Sequence, residues 1–218
     1  MGAGDMTSLK IQPPALPQAP VQYNFPYQDQ LNNVHRLFYN RLISTVNGVV
    51  GVNGAVNLQA PHALLMSDED QTSAGITSEN LVTYNTPVIQ EAVEVRSGSQ
   101  IWFTYPGQYL VTFSLMFTNR GNAAQEIEVW AKDSAGNYPL SNTRIDIAAR
   151  KSISVWSHAV ATITGIFTVD DPDNDYLAIA WWSDGADVFL EHYAAGTNPT
   201  RPAIPSVILT VNFVSRLP

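Results

Sequence analysis

Cysteine is absent from all 218 residues, which excludes a disulfide-stapled scaffold and any thiolate metal site. Folding in a reducing cytoplasm is therefore compatible. Positive charge is scarce: eleven Lys and Arg face nineteen Asp and Glu, giving a net charge of −8. The basic residues form no cluster, which argues against binding to nucleic acid or to an anionic membrane surface, since both need concentrated positive charge. No uninterrupted apolar run approaches the roughly 20 residues of a membrane-spanning helix, and Met1 to Lys10 lack the apolar core of a signal peptide. The expectation is a soluble chain with no membrane insertion. Charged residues of every kind make up only 14% of the chain against 45% hydrophobic, a balance that suits a protein burying surface in an assembly as well as in its own core.

Helical periodicity is nearly as scarce. Residues 1–26 read as an extended, Pro-rich N-terminal arm: five prolines between Ile11 and Pro26 disfavour both a helix and a central strand. Leu16, Val21, Tyr23 and Phe25 would be wasted in a solvated linker, so the arm is expected to dock. Residues 27–47 carry the one amphipathic helix, with Leu31, Val34, Phe38, Leu42 and Val46 at spacings of three and four, and Leu37 and Ile43 widening the stripe. Asn47-Gly48 offers a stop. No second helix is present to cover the stripe. Its partner is the chain's own β-domain, the same helix in neighbouring subunits, or a host assembly. Residues 48–62, with Asn-Gly at 47–48 and again at 53–54, read as a connector.

From residue 63 to 218 the pattern is β throughout. Predicted strands cover Ala63–Ser67, Leu81–Tyr84, Val93–Arg96, Ile101–Tyr105, Tyr109–Thr118, Ile127–Ala131, Arg144–Ile147, Ser152–Phe167, Tyr176–Trp182 and Val188–Tyr193. Tyr109, Val111, Phe113, Leu115 and Phe117 give the clearest alternation. The last strand, Pro202–Val214, is rich in Val and Ile and predicts burial on at least part of both faces. About ten short strands divided by turn signals predict an antiparallel β-sandwich, and within that class a jelly roll.

Pro106-Gly107-Gln108-Tyr109 before alternating aromatics resembles the turn and strand of the tumour-necrosis-factor and complement-globular-head jelly rolls. A group of bacteriophage virion proteins with such a domain is closer still. The likeness rests on Gln71-Thr72, Gly107 with Tyr109, Val129-Trp130, Gly136-Asn137, Ser141-Asn142-Thr143-Arg144, Trp182-Ser183-Asp184 and, most specifically, Pro202 to Val211. It covers roughly residues 63–214. The resemblance implies a homotrimer of jelly rolls displayed on a virion surface and made in the host cytoplasm. The stretch Asp170-Asp171-Pro172-Asp173-Asn174-Asp175 is more acidic than the turn at this place in that group.

Chemistry is thinly marked. Asp171, Asp173 and Asp175 alternate as in a calcium loop, but Tyr176 stands where an EF-hand needs glycine. A solvated turn is the reading, and neither metal nor cofactor is expected. His35, His62, His158 and His192 show no ligand spacing. No nucleophile elbow or phosphate-cradling loop occurs, and nothing singles out a pair among Glu91, Glu94, Glu126, Glu128, Asp146 and Asp187, so no enzyme is expected. Trp181 and Trp182 point to opposite sides of one strand, one toward the core and one toward an outer or intersubunit face. Candidate anchoring residues toward other virion proteins are Tyr23, Phe25, Leu31, Val34, Phe38 and Leu42. Trp181, Trp182 and Tyr193 are the candidates for a trimer or receptor face.

These readings converge on a structural virion component, a short fibre or appendage of the tail or head–tail connector. The alternatives are a capsid decoration protein and a carbohydrate-binding receptor module engaging a host surface glycan.

Overall fold

The computed structural model describes residues 15, 16, 18, 21–50 and 60–217, with backbone alone at 48–50. It comprises two units, one reaching Gln59 and the other starting at Ala60. The first contains helix α1 (Phe25–Val50), which extends past both predicted ends. Asn24 is its N-cap, its carbonyl accepting the Gln28 N–H at 3.1 Å. Pro26 lies in the first turn, where the missing N–H has no helical partner to lose. Phe25 therefore belongs to the helix and not to the arm. Asn47-Gly48 does not end the helix, because an interior glycine costs only about 1 kcal/mol relative to Ala. The Asn53-Gly54 turn and most of the arm lie outside the described residues.

The second unit is mainly β. In chain order its strands are β1 (His62–Ser67), β2 (Gln71–Thr72), β3 (Asn80–Leu81), β4 (Thr86–Glu91), β5 (Val93–Arg96), β6 (Gln100–Phe103), β7 (Gly107–Asn119) and β8 (Gln125–Asp133). There follow β9 (Gly136–Asn137), β10 (Thr143–Ile147), β11 (Ser157–Val169), β12 (Tyr176–Ser183), β13 (Val188–Leu190), β14 (Gly196–Thr197), β15 (Thr200–Arg201) and β16 (Val207–Ser215). All pairings are antiparallel. One sheet runs β4-β1-β16-β7-β11, with β13 and β2 continuing beside the end of β7. The other runs β5-β6-β12-β8-β10, with β3 beside β12 and β9 beside β8.

The inner faces of these sheets share one core. Along β7, Tyr109, Val111, Phe113, Leu115 and Phe117 are all buried, as the alternation predicts. Aromatic contacts cross between the layers: Phe117 meets Trp181 with ring centroids 5.4 Å apart, and Phe103 meets Tyr109 at 4.5 Å. Such pairs add about 0.5–1.5 kcal/mol beyond the area they bury. Gly107 shows why the turn before β7 needs glycine. Its φ is 155°, and a Cβ there would stand 2.5 Å from the Phe213 ring and 2.7 Å from the Ser215 carbonyl oxygen. The turn and the last strand are thus fitted to each other through a missing side chain.

Several predicted strands change. Ile101–Tyr105 ends at Phe103, Ser152–Phe167 starts at Ser157 and Val188–Tyr193 ends at Leu190. Leu81–Tyr84 buries Val82 and Tyr84, but it is a strand only at Asn80–Leu81, because beyond it the backbone turns to two different partners: Val82 N–H to Ile179 and Tyr84 N–H to Gly98. β4 has no counterpart among the predicted strands; it is an edge strand with a bulge opposite Leu64/Leu65, a place where Pro87 is tolerated. The closing strand starts at Val207. Pro202 and Pro205 precede it, and Ser206 fixes its entry by donating to the carbonyls of Ser67 and Glu69. It is buried chiefly on one face, at Val207, Leu209 and Val211, while Ile208 and Asn212 are exposed.

Candidate functional site

The two sheets differ in what they turn outward. β1, β7, β11 and β16, the body of the first sheet, contain no Asp, Glu, Lys or Arg. Registered pairings place side chains in rows across its outer face: Leu64, Thr210, Thr112 and Thr164 in one, Met66, Ile208, Ser114 and Thr162 in the next. The threonines join across strands, Thr112 to Thr164 at 3.0 Å, and Ser114 to Thr162 at 3.2 Å. Ile208 (37%) in the second row is exposed, as are Val160 (61%) and Ile166 (55%), which flank the two rows on β11. A wide, uncharged, aliphatic and hydroxyl-lined face on a chain of net charge −8 is a surface fit for contact with protein.

At one end of this face lies a polar knot that the sequence did not disclose. Thr118 is fully buried and donates to Glu191 Oε2 at 2.5 Å, while its oxygen stands 2.8 Å from His158 Nδ1. Tyr193 adds its hydroxyl to the same Glu191 oxygen at 2.9 Å and stands 3.4 Å from His158 Nε2. Since the Thr118 proton goes to Glu191, His158 must donate from Nδ1 to that hydroxyl. Burial, then the neighbouring Glu191 carboxylate, pushes the Tyr193 phenol up to about 12. The hydroxyl of Thr118 is thus committed to holding strands together. Beside the knot the Arg120 guanidinium lies 3.7 Å over the Phe189 ring and 4.6 Å over Trp156.

The second sheet is charged. Glu94, Arg96, Glu126, Glu128, Lys132, Asp133, Arg144 and Asp146 lie on its strands. Several are paired: Glu94 with Arg96, Lys132 with Glu79, and Arg144 with both Glu126 and Asp146. Trp102, Trp130 and Trp182 are only half-buried there. Trp102 carries the Arg96 guanidinium over its ring and leans on Tyr176 at 5.4 Å.

The residues predicted as sites separate accordingly. Trp181 is fully buried against Phe117, which removes it from any trimer or receptor face. Trp182 points outward on the charged sheet and donates from Nε1 to the Ile76 carbonyl at 2.6 Å. Tyr193 lies in the knot of the other sheet, so the two outward candidates do not meet on one face. In α1, Leu31, Val34, Phe38 and Leu42 are half-buried, while Phe25, Leu37, Ile43 and Val46 are exposed, as is Tyr23 just before the helix.

The motif residues mostly serve the fold. The Gln71 side chain pairs with Thr83 as a strand would, with both bonds at 2.9 Å. Asp184 accepts the Glu126 N–H at 2.8 Å. In the acidic turn, Asp175 Oδ2 accepts the N–H groups of Asp170 and Asp171, and Asp171 accepts from Asp173 and Asn174. Those carboxylates satisfy their own turn. Among the described residues no three His, Asp or Glu side chains are grouped to hold a metal ion, and no helix is long and apolar enough to cross a membrane. Neither a protein-family model nor a curated protein matches this chain.

Proposed function

We propose that the chain is a structural component of a bacteriophage virion, a homotrimer of jelly rolls mounted through its N-terminal arm and helix as a short appendage of the tail or head–tail connector. The observation that carries the self-assembly is the uncharged outer face of the first sheet. Burying Val160, Ile166 and Ile208 against a second copy removes apolar surface from water and desolvates no ion.

The strand order supports the jelly roll. Numbering β1, β6, β7, β8, β10, β11, β12 and β16 from one to eight, the sheets run 1-8-3-6 and 2-7-4-5, the arrangement of two interlocked Greek keys. The resemblance of residues 63–214 to phage virion domains supplies the setting. Helix α1, with Leu37, Ile43 and Val46 exposed, is the mount, since an amphipathic helix can seat in an adaptor groove. The role is one of architecture and not of catalysis.

Particles purified from a culture that makes this protein test the reading. The protein is expected in the particle band at a few tens of copies or fewer. Hundreds of copies would move it to the capsid shell as a decoration protein, and confinement to the particle-free fraction would overturn the virion assignment.

A further inference from the structure

A groove of about 220 Å³ opens on the charged sheet, between the outer face of β8 and the turn leading into β10, lined by Glu128, Trp130, Asn137, Tyr138, Leu140 and Asn142 among others. We propose that it binds an uncharged pyranose glycan, with Trp130 as the stacking platform. This rests on the groove alone and not on the virion reading.

Glu128 and Trp130 are two apart on β8 and share its outer face. The indole is fixed in place, its Nε1 donating to Asn137 Oδ1 at 2.9 Å. Asn142 Nδ2 donates to Glu128 Oε2 at 2.7 Å. These bonds orient both amides and leave three groups over: the Asn137 amide nitrogen as a donor, and Asn142 Oδ1 with Glu128 Oε1 as acceptors. A donor and acceptors around a half-buried aromatic ring match a sugar. Its C–H face packs on the indole, while adjacent hydroxyls each give one hydrogen bond and take another.

Charge narrows the ligand class. The nearby cations, Lys132 and Arg144, are engaged by Glu79 and by Glu126 with Asp146, and the groove's own ion is the Glu128 carboxylate. Phosphates and uronic acids would meet repulsion there, whereas a neutral polyol meets acceptors. Size narrows it too, since the volume falls below the roughly 300–1,000 Å³ typical of pockets for larger ligands. One ring fits, with affinity in the millimolar range for a simple glycoside. Leu140 stands fully exposed on the rim at φ 59°, a backbone region that non-glycine residues seldom occupy.

The test uses the full chain on an array spanning the common neutral pyranoses of bacterial and plant surfaces, followed by tryptophan-fluorescence titration with methyl glycosides of the sugars retained. At least one neutral glycoside should bind saturably, and the matching uronic acid should bind more weakly. Trp130→Ala should weaken binding by about tenfold or more, and Trp182→Ala should leave it unchanged. Asn137→Ala, which keeps the ring, should cost about threefold to tenfold. Silence across the whole array, equal binding of the uronic acid, or binding indifferent to both Trp130→Ala and Asn137→Ala would overturn the proposal.

Discussion

Both sheets of the β-unit are built from antiparallel strands, yet the four main strands of one carry no Asp, Glu, Lys or Arg, while β5, β8 and β10 of the other carry eight. Both faces belong to sheets closed over one core, so stability does not demand the difference. Solvation does. A face that stays wet gains from paired charges and keeps the protein soluble, while a face that will be covered avoids ions, whose desolvation costs several kcal/mol each. On the proposed reading, the first face is the one that meets further copies of the chain, and the second is left for solvent or a small ligand.

Placing a charge on the uncharged face should have the largest effect. Ile208→Glu or Val160→Glu leaves each chain folded, since both side chains are exposed. Each contact in the proposed trimer would then bury an unpaired carboxylate, costing about 3–5 kcal/mol per site. Sedimentation velocity should show monomers. Asp146→Lys on the other face should leave the trimer intact.

Next come the adjacent tryptophans, which sample inside and outside on one strand. Trp181→Ala empties a fully buried site and should lower stability by about 3–5 kcal/mol. Trp182→Ala removes a half-buried ring and its bond to Ile76, and should cost about 1 kcal/mol. Chemical denaturation measures both.

Alkaline pH acts on core and face together. Burial raises the phenol of Tyr84 and pushes Tyr109 up to about 12, as it does Tyr193 on the uncharged face. In the unfolded chain these phenols ionise near 10, so the neutral folded form is favoured below that pH, and the advantage is lost as pH rises from 10 through 12. For buried Tyr109 the loss is about 2–3 kcal/mol. The thermal midpoint should be insensitive to these phenols below pH 10 and fall above it; a midpoint still level at pH 12 would count against their burial.

The smallest effect concerns an unpaired group. The Tyr84 hydroxyl is buried with no hydrogen-bond partner among the described residues, so Tyr84→Phe should be neutral or raise stability by up to about 1–2 kcal/mol. A loss on the scale of a core deletion would show that the hydroxyl has work to do.

Much of this architecture was legible in the residues. The alternation from Tyr109 to Phe117 gave the central strand and its inward face, because period-two burial is imposed locally. The helix was legible through its own local spacing of three and four residues, although its ends moved at Pro26 and Gly48, where backbone rules are permissive. β4 escaped notice because an edge strand tolerates the proline that reads as a turn. The contrast between faces could not be seen along the chain. It emerges only when β1, β7, β11 and β16 are gathered from four distant segments into one sheet. The Thr118–Glu191–His158–Tyr193 knot and the Trp130 groove were hidden likewise, since each joins residues from separate strands. Trp181 and Trp182 were legible as a pair on opposite faces, but which face each takes depended on the register of β12.

The central claim is that the uncharged face is covered by further copies of the same chain. The mass of the full-length protein in solution, measured by light scattering coupled to size exclusion, tests it most directly. The account predicts three times the 23.9 kDa chain mass, falling to one chain mass in Ile208→Glu. A wild-type protein that runs as a monomer at micromolar concentration would contradict it.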